Sequence, residues 1–380
     1  MTHPLTRRAS VIAVAALAAA TFAACSPPTE EKPAASGTAT AGDARTATSA
    51  EAFGGMDALV AAAKKEGALN VIALPPDWAN YGEVIKAFQA KYPEVKVTSD
   101  QPDISSADEI ATAKRLKGQS GAPDVFDLGA AVALANTDMF APYKVATWDD
   151  IAPDLKDPDG KWVNDYGGYM SIGYDSAKVP APTSVNDLLK ADYKDKVALN
   201  GDPTQAGAAF AGVQMASIAN GGTAGDLAKG VDFFAKLNDA GNFLPVDPTP
   251  ATVESGETPV VIDWDYLNAA LSAKLPTWKV VVPKEAVVAG FYYQAINADG
   301  PHPAAARLWQ EFLFSDEGQN LWLKGGARPV RFSPMKIAGT LDTAAAEALP
   351  PVEGTPVNPT QADAESGKAY LAENWANAVG

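Results

Sequence analysis

Leu69-Asn70-Val71-Ile72-Ala73-Leu74-Pro75-Pro76 is a short apolar run of the buried-strand type, closed by two prolines that cannot continue a hydrogen-bonded ladder. Val84, Ile85, Phe88 and Tyr92 then mark one face of a helix that Pro93 terminates. Val95 and Val97 alternate in a second strand, and Ser105 or Ser106 caps a helix running to Gly118. Val125-Phe126-Asp127-Leu128 is a third strand. Strand, helix, strand, helix, strand in this order implies right-handed crossovers and a mostly parallel sheet. Ligands of such sheets sit beyond the carboxyl ends of the strands, which directs attention to residues 75–81 and 127–131.

A second α/β stretch follows over residues 175–282. It holds a strand at 196–200, a Gly/Ala-rich helix over 206–220, a helix at 227–238 and a strand at 258–263. Residues 291–296 are strand-like, and residues 304–323 carry helical apolar spacing through Leu308, Trp309, Phe312 and Leu313. No internal repeat and no heptad pattern is present. On the other side, residues 56–66 read as a short helix stopped by Gly67.

The N-terminus reads as an export signal. Arg7 and Arg8 precede an unbroken apolar run over residues 11–20, and Phe22-Ala23-Ala24 leads to Cys25, the only cysteine. Ten apolar residues are too few for a bilayer-spanning helix, which needs about 20. The small residues before Cys25 resemble the lipobox of bacterial lipoproteins, which implies lipid on the Cys25 thiol. Phe22 stands where that family usually has Leu, and an ordinary cleaved signal with a stray cysteine is the alternative. The expected order is therefore a signal at 1–24, then a lipidated cysteine and disordered tether at 25–52. Residues 26–52 are Pro, Thr, Ala, Ser, Gly and charge, too poor in large apolar side chains to offset ordering entropy.

Thirty basic residues stand against 46 acidic ones; removing Arg7 and Arg8 leaves 28 against 46, a mature charge of −18. So acidic a chain, with no basic patch, does not neutralise phosphates, and nucleic acid is excluded as a partner. With no second cysteine there is no disulfide framework, and stability comes from the core. His3 and His302 are the only histidines, which leaves no room for a His-dependent triad or a zinc site of histidine spacing. Neither a nucleophile elbow nor a P-loop occurs. No metal and no cofactor is expected.

Gly300-Pro301-His302-Pro303-Ala304-Ala305-Ala306-Arg307-Leu308-Trp309, followed by Phe312-Leu313-Phe314-Ser315-Asp316-Glu317-Gly318-Gln319, resembles a signature of the extracellular solute-binding proteins of ABC importers. Further matches are residues 88–93, 182–189 and 327–331, and the resemblance covers residues 69–331. It is similar to the branch that binds polyamines, ferric iron, thiamine and aminoethylphosphonate. The resemblance implies an α/β, two-lobed, type II periplasmic-binding-protein-like fold, with two hinge crossover strands and closure over the ligand. Residues 169–175 and 292–296 are the candidate crossovers, giving a discontinuous first lobe (53–174 and 291–380) and a second lobe at 175–290. It also implies a small-molecule solute, an ABC permease as partner, a monomer, and a place on the outer face of the cell membrane. The helical stretch 304–323 itself serves packing, with Ser315 or Asp316 as a cap, and is not the binding site.

Asp77-Trp78-Ala79-Asn80-Tyr81 follows the first strand, and Trp78 and Tyr81 can present rings on one side of a turn. The resemblance implies that this Trp-x-x-Tyr lines the cleft, as in polyamine binders; otherwise Trp78 is a core residue and Asp77 a helix cap. Asp127 closes the third strand. Asp263-Trp264-Asp265-Tyr266 ends a strand of the second lobe, where one acid and one ring can share the cleft. An amine over an aromatic face gains about 0.5–2 kcal/mol, and a charge-assisted hydrogen bond to carboxylate about 1.5–3 kcal/mol. Asp265 can instead cap the helix that follows. Asp202, Thr204 and Gln205 open the Gly/Ala-rich helix, where free N–H groups suit an anion while Asp202 suits an amine. On the return crossover Tyr292 and Gln294 share one face and Tyr293 takes the other. The resemblance implies an acid where Gln294 stands, which leaves room for a neutral or zwitterionic ligand.

Two function classes stand. One is a lipid-anchored receptor delivering a small cationic or zwitterionic solute, a polyamine first, to its permease; ferric iron, thiamine or an aminophosphonate are alternative cargoes. The other is a secreted hydrolase using a carboxylate pair such as Asp263 and Asp265.

Overall fold

The chain alternates strands and helices as the apolar spacing dictates. In the computed structural model, which describes residues 43–380, the strands are β1 (Ala68–Ile72), β2 (Lys96–Asp100), β3 (Val125–Leu128), β4 (Phe140–Ala141) and β5 (Val163–Asp175), then β6 (Val197–Leu199), β7 (Val260–Trp264), β8 (Trp278–Val281), β9 (Ala289–Asn297) and β10 (Arg328–Pro329). The predicted helices of the first stretch form at Met56–Glu66, Tyr81–Lys91 and Ser106–Leu116, the last capped by Ser105 Oγ, which accepts from Asp108 N–H.

β1 and β2 pair in parallel as a small sheet. The remaining strands form one larger sheet, ordered β3-β9-β5-β7-β6 with β4, β8 and β10 at its margins. β5 organises it: residues 163–169 pair with β9, whereas residues 170–175 pair with β7 and β8. One strand thus belongs to two groups, β3, β4, β9 and β10 on one side and β6, β7 and β8 on the other. Both proposed crossover segments, 169–175 and 292–296, lie within β5 and β9. The backbone crossing is tight. A Cβ on Gly168 would overlap Asp265 Oδ1, and one on Gly290 would overlap the Trp264 indole. Glycine is required at both positions for close approach rather than for backbone freedom.

Three expectations are corrected. The sheet is not mostly parallel: only β1–β2 and β6–β7 are parallel, because β5 and β9 run through the middle and pair antiparallel with every neighbour. Residues 304–323 form two helices, Pro303–Leu313 and Asp316–Lys324, broken where Ser315 Oγ accepts from Gly318 N–H and starts the second. The tether does not extend to Ala52: Ala47 and Ala50 are buried, and the buried Arg307 guanidinium donates to Arg45 O and Ala47 O. A buried guanidinium needs such acceptors, and the chain supplies them. Cys25, the signal and the rest of the tether lie outside the described residues. No helix among the described residues is long and apolar enough to cross a membrane.

The C-terminal helix Gln361–Val379 buries Leu371 and Trp375, with Trp375 edge-on to Phe234 at 5.2 Å and to Phe243 at 6.4 Å. Its apolar stripe thus packs on the second α/β stretch, and the helix also meets the short helix Ala130–Leu134 of the first.

Candidate functional site

The carboxyl ends of β1, β3, β6 and β7 converge on a cavity of about 760 Å3. Seven of the twelve candidate residues line it: Asp77, Trp78, Asp127, Asp202, Gln205, Asp263 and Tyr292. They come from segments up to 215 positions apart, so only the folded sheet could assemble them.

The first wall is the turn after β1. Trp78 N–H donates to Pro75 O at 3.0 Å and Tyr81 N–H to Trp78 O at 3.0 Å. Ala79 (φ 45°) and Asn80 (φ 67°) are both left-handed, a conformation costing a non-glycine residue roughly 1–2 kcal/mol. The Asn80 side chain donates to Leu321 O at 2.8 Å and holds the turn against the helix Asp316–Lys324. The result aims the Trp78 indole inward, edge-on to Tyr292 (5.6 Å) and Tyr266 (6.4 Å). Asp77 does not cap the helix. Its exposed carboxylate faces Lys274 Nζ at 3.5 Å across the cavity mouth, a solvent-screened pair worth under about 1 kcal/mol.

The second wall is acidic and buried. Asp127 Oδ2 accepts from the Tyr166 hydroxyl at 3.0 Å, while its Oδ1 has no partner. Glu109 Oε1 accepts Asp127 N–H at 3.1 Å, and Glu109 Oε2 is likewise unpartnered. Burial pushes the Asp127 carboxyl up to about 7, opposed by the tyrosine hydroxyls, and raises Glu109 and Asp165 well above the carboxylate range. Opposite, Asp263 accepts Trp264 N–H at 2.8 Å, and burial pushes it up to about 7 against the stabilising Asn200 side chain.

The remaining candidates stand outside this cavity. Tyr81 and Gln294 form the layer behind Asp127: Gln294 Nε2 donates to Tyr81 Oη at 2.8 Å, and Tyr81 Oη lies 3.5 Å from Asp165 Oδ2. Asp265 accepts Tyr169 N–H at 3.0 Å and pairs with Arg328, so it braces β5 instead of facing ligand. Thr204 turns its N–H and hydroxyl to Asp202 Oδ1 at 2.8 and 2.7 Å. The helix Gly207–Ala219 starts without a side-chain cap. Thr204 and Trp264 line a second cavity of about 580 Å3, which shares Gln205 and Tyr292 with the first.

Sequence reasoning missed Glu109 and Tyr166. Glu109 precedes Ile110 on the buried face of its helix, a polar break in an apolar face that could have drawn attention. Tyr166 stacks on Tyr292 (5.6 Å, interplanar angle 8°) and stands before the glycine pair at the crossing. In all, Asp77, Asp103, Glu109, Asp127, Asp202, Asp247 and Asp263 line the cavity against one cation, Lys274. Among the described residues no group of three or more His, Cys, Asp or Glu is placed to hold a metal ion.

A family model described as bacterial extracellular solute-binding protein matches residues 119–366. No curated protein matches the chain. Among solved structures, the fructose-6-phosphate-bound periplasmic binding protein AfuA of Actinobacillus pleuropneumoniae is similar at 18% identity and TM-score 0.62, covering 82% of this chain and 98% of that one. The ferric binding protein of Campylobacter jejuni is similar at 18% identity and TM-score 0.61, covering 82% and 99%. The spermidine/putrescine substrate-binding protein PotD of Streptococcus pneumoniae is similar at 16% identity and TM-score 0.56, also covering 82% and 99%. These likenesses show the fold: the α/β, two-lobed periplasmic-binding-protein architecture.

Proposed function

The chain belongs to the bacterial extracellular solute-binding proteins, a receptor and not an enzyme, and we propose on that premise that the solute it captures for its ABC importer is a small organic cation, a polyamine first. The observation that carries this reading is the imbalance of the main cavity. Seven carboxyl side chains and one ammonium line it, and Asp127 Oδ1 is buried without a partner. A buried carboxylate oxygen left unpaired is costly, and a ligand ammonium supplies the missing donor and charge. Trp78 and Tyr292 add ring surface on which an alkylammonium can lie. A dication can span from Asp127 on one wall to Asp263 on the other. A zwitterion such as an aminophosphonate would have to place its anion among the same acids, which ranks it below a polyamine.

Two further elements belong to the proposal. Residues 53–174 with the β9–β10 region form one lobe and residues 175–290 the other, hinged at β5 and β9; the division of β5 pairing between two strand groups supports it. The exported chain is held at the outer membrane face as a monomer by lipid on Cys25. A Cys25→Ala variant, released into the medium instead of fractionating with membranes, tests the anchor.

The test of the cargo is a thermal-shift panel of putrescine, spermidine, thiamine, aminoethylphosphonate, ferric citrate and simple sugars. A ligand at a hundred times its Kd stabilises by about 2.7 kcal/mol, a shift of several degrees. Putrescine or spermidine giving the largest shift supports the reading; a shift with sugars alone ends it.

A further inference from the structure

The second cavity differs in chemistry from the first. Tyr292 lines both, but its neighbours Phe291 and Tyr293 line only the second, together with Trp162, Phe210 and Trp264. The two spaces meet where Gly129 and Gly207 face each other. A side-chain carbon on either glycine would touch the other's Cα at 3.6 Å, so the backbones pass close together there, while Ser106, Gln205, Ala206, Gly207 and Tyr292 line both cavities. Apart from tyrosines, only Asp154 and Lys368 among the residues around the second cavity are ionisable; both are exposed, and their charges are opposite.

We propose that this aromatic chamber is a second binding site, separate from the acidic one, that takes an uncharged planar ring bearing one hydrogen-bond acceptor. Its volume of about 580 Å3 is in the range of small-molecule sites. An ionic ligand would lose its hydration there with no buried counter-charge to meet it. A planar ring meets aromatic walls on several sides, Trp162 and Tyr293 lying 4.7 Å apart among them. The acceptor is specified by Trp264. Its indole is 4% exposed, it lines this chamber and not the first, and its buried Nε1–H makes no hydrogen bond of good geometry, the Tyr292 hydroxyl being the nearby acceptor. The C-terminal segment closes the chamber through Asn358 and Ala364. The inference does not depend on the cargo of the acidic cavity.

Coumarin, planar, uncharged and carrying a carbonyl acceptor, is the probe, measured by equilibrium dialysis against the full chain. One equivalent is expected to bind, with the same affinity in saturating putrescine as without it. Ala131→Trp, which fills the chamber, and Phe210→Ala, which removes a wall, are each expected to weaken coumarin about tenfold or more while leaving the putrescine melting shift unchanged. The Ala131→Trp melting temperature reports that the variant folds, and Phe210→Ala tests the same wall by deletion. Asp263→Asn is expected to do the reverse, weakening putrescine and sparing coumarin. No coumarin binding, competition with putrescine, or indifference of coumarin to both chamber variants overturns the proposal. Loss of putrescine binding alone refutes only the amine reading of the first cavity.

Discussion

The Trp78 indole donates to the Tyr166 hydroxyl at 2.8 Å, which ties the turn after β1 to the strand that joins the two groups of the sheet. Tyr166 passes the bond on to Asp127 at 3.0 Å. Tyr166→Phe therefore takes the hydroxyl partner from a partly buried indole N–H and from a buried carboxylate oxygen. The expected loss is about 1–3 kcal/mol, read as a lower denaturant midpoint at unchanged m-value. An unaltered midpoint would mean that the relay contributes nothing to stability.

Arg328 and Asp265 brace the crossing from the other side. The Asp265 carboxylate is fully buried, and it also accepts Tyr169 N–H. Arg328→Ala leaves that charge unpaired and is expected to cost about 3–5 kcal/mol in urea unfolding at neutral pH. Combining it with Asp265→Asn is expected to recover most of the loss, since no buried charge remains. The deficit of the single variant shrinks as pH falls toward the native Asp265 pKa, which burial holds above the ordinary aspartate value even beside Arg328, because a protonated Asp265 no longer needs the guanidinium.

The local elements were legible because their signals are local. The apolar run at Leu69 and the prolines at 75 and 76 fix where β1 ends, and Ser105 caps its helix as its residue type requires. The strand partners were not legible. Nothing in the composition of residues 163–175 says that one half will pair with β9 and the other with β7. The site followed the same division. Asp127, Trp78 and Asp263 could be found because strand ends are predictable. Tyr166 could not, because its role depends on which side chains lie across the sheet from it. Asp265 was misplaced for a related reason: its partner Arg328 is 63 positions away.

Charge removal inside the acidic cavity separates attraction from packing. Asp127→Asn and Asp263→Asn are each expected to weaken putrescine by about ten- to a hundredfold, the loss of one charge-assisted hydrogen bond. Lys274 is the one cation on the cavity wall. Lys274→Gln is expected to strengthen putrescine, by about two- to fivefold because the side chain is exposed and screened. Titration calorimetry of the three variants checks both signs. A Lys274→Gln variant that bound putrescine more weakly would indicate an anionic contact at that end of the ligand.

The two buried aspartates make stability and binding run oppositely with pH. Burial raises both Asp127 and Asp263 to about 7. In the unfolded chain an aspartate ionises near about 3.9. Between those values the native protein keeps protons that the unfolded chain has lost, so the native state binds more protons and stability falls as pH rises from about 4 to 7. Above 7 the slope vanishes, and below 4 no penalty exists. A ligand ammonium needs the ionised carboxylates, so putrescine affinity is expected to climb through the same window, by up to about tenfold per pH unit for each carboxylate that must ionise. Melting curves and putrescine titrations from pH 5 to 8 read both trends on one sample. In Asp127→Asn the stability slope should flatten and the free protein should melt higher at pH 8, even as putrescine binding weakens. An affinity for putrescine that is the same at pH 5.5 and pH 8 would remove Asp127 and Asp263 from the binding site.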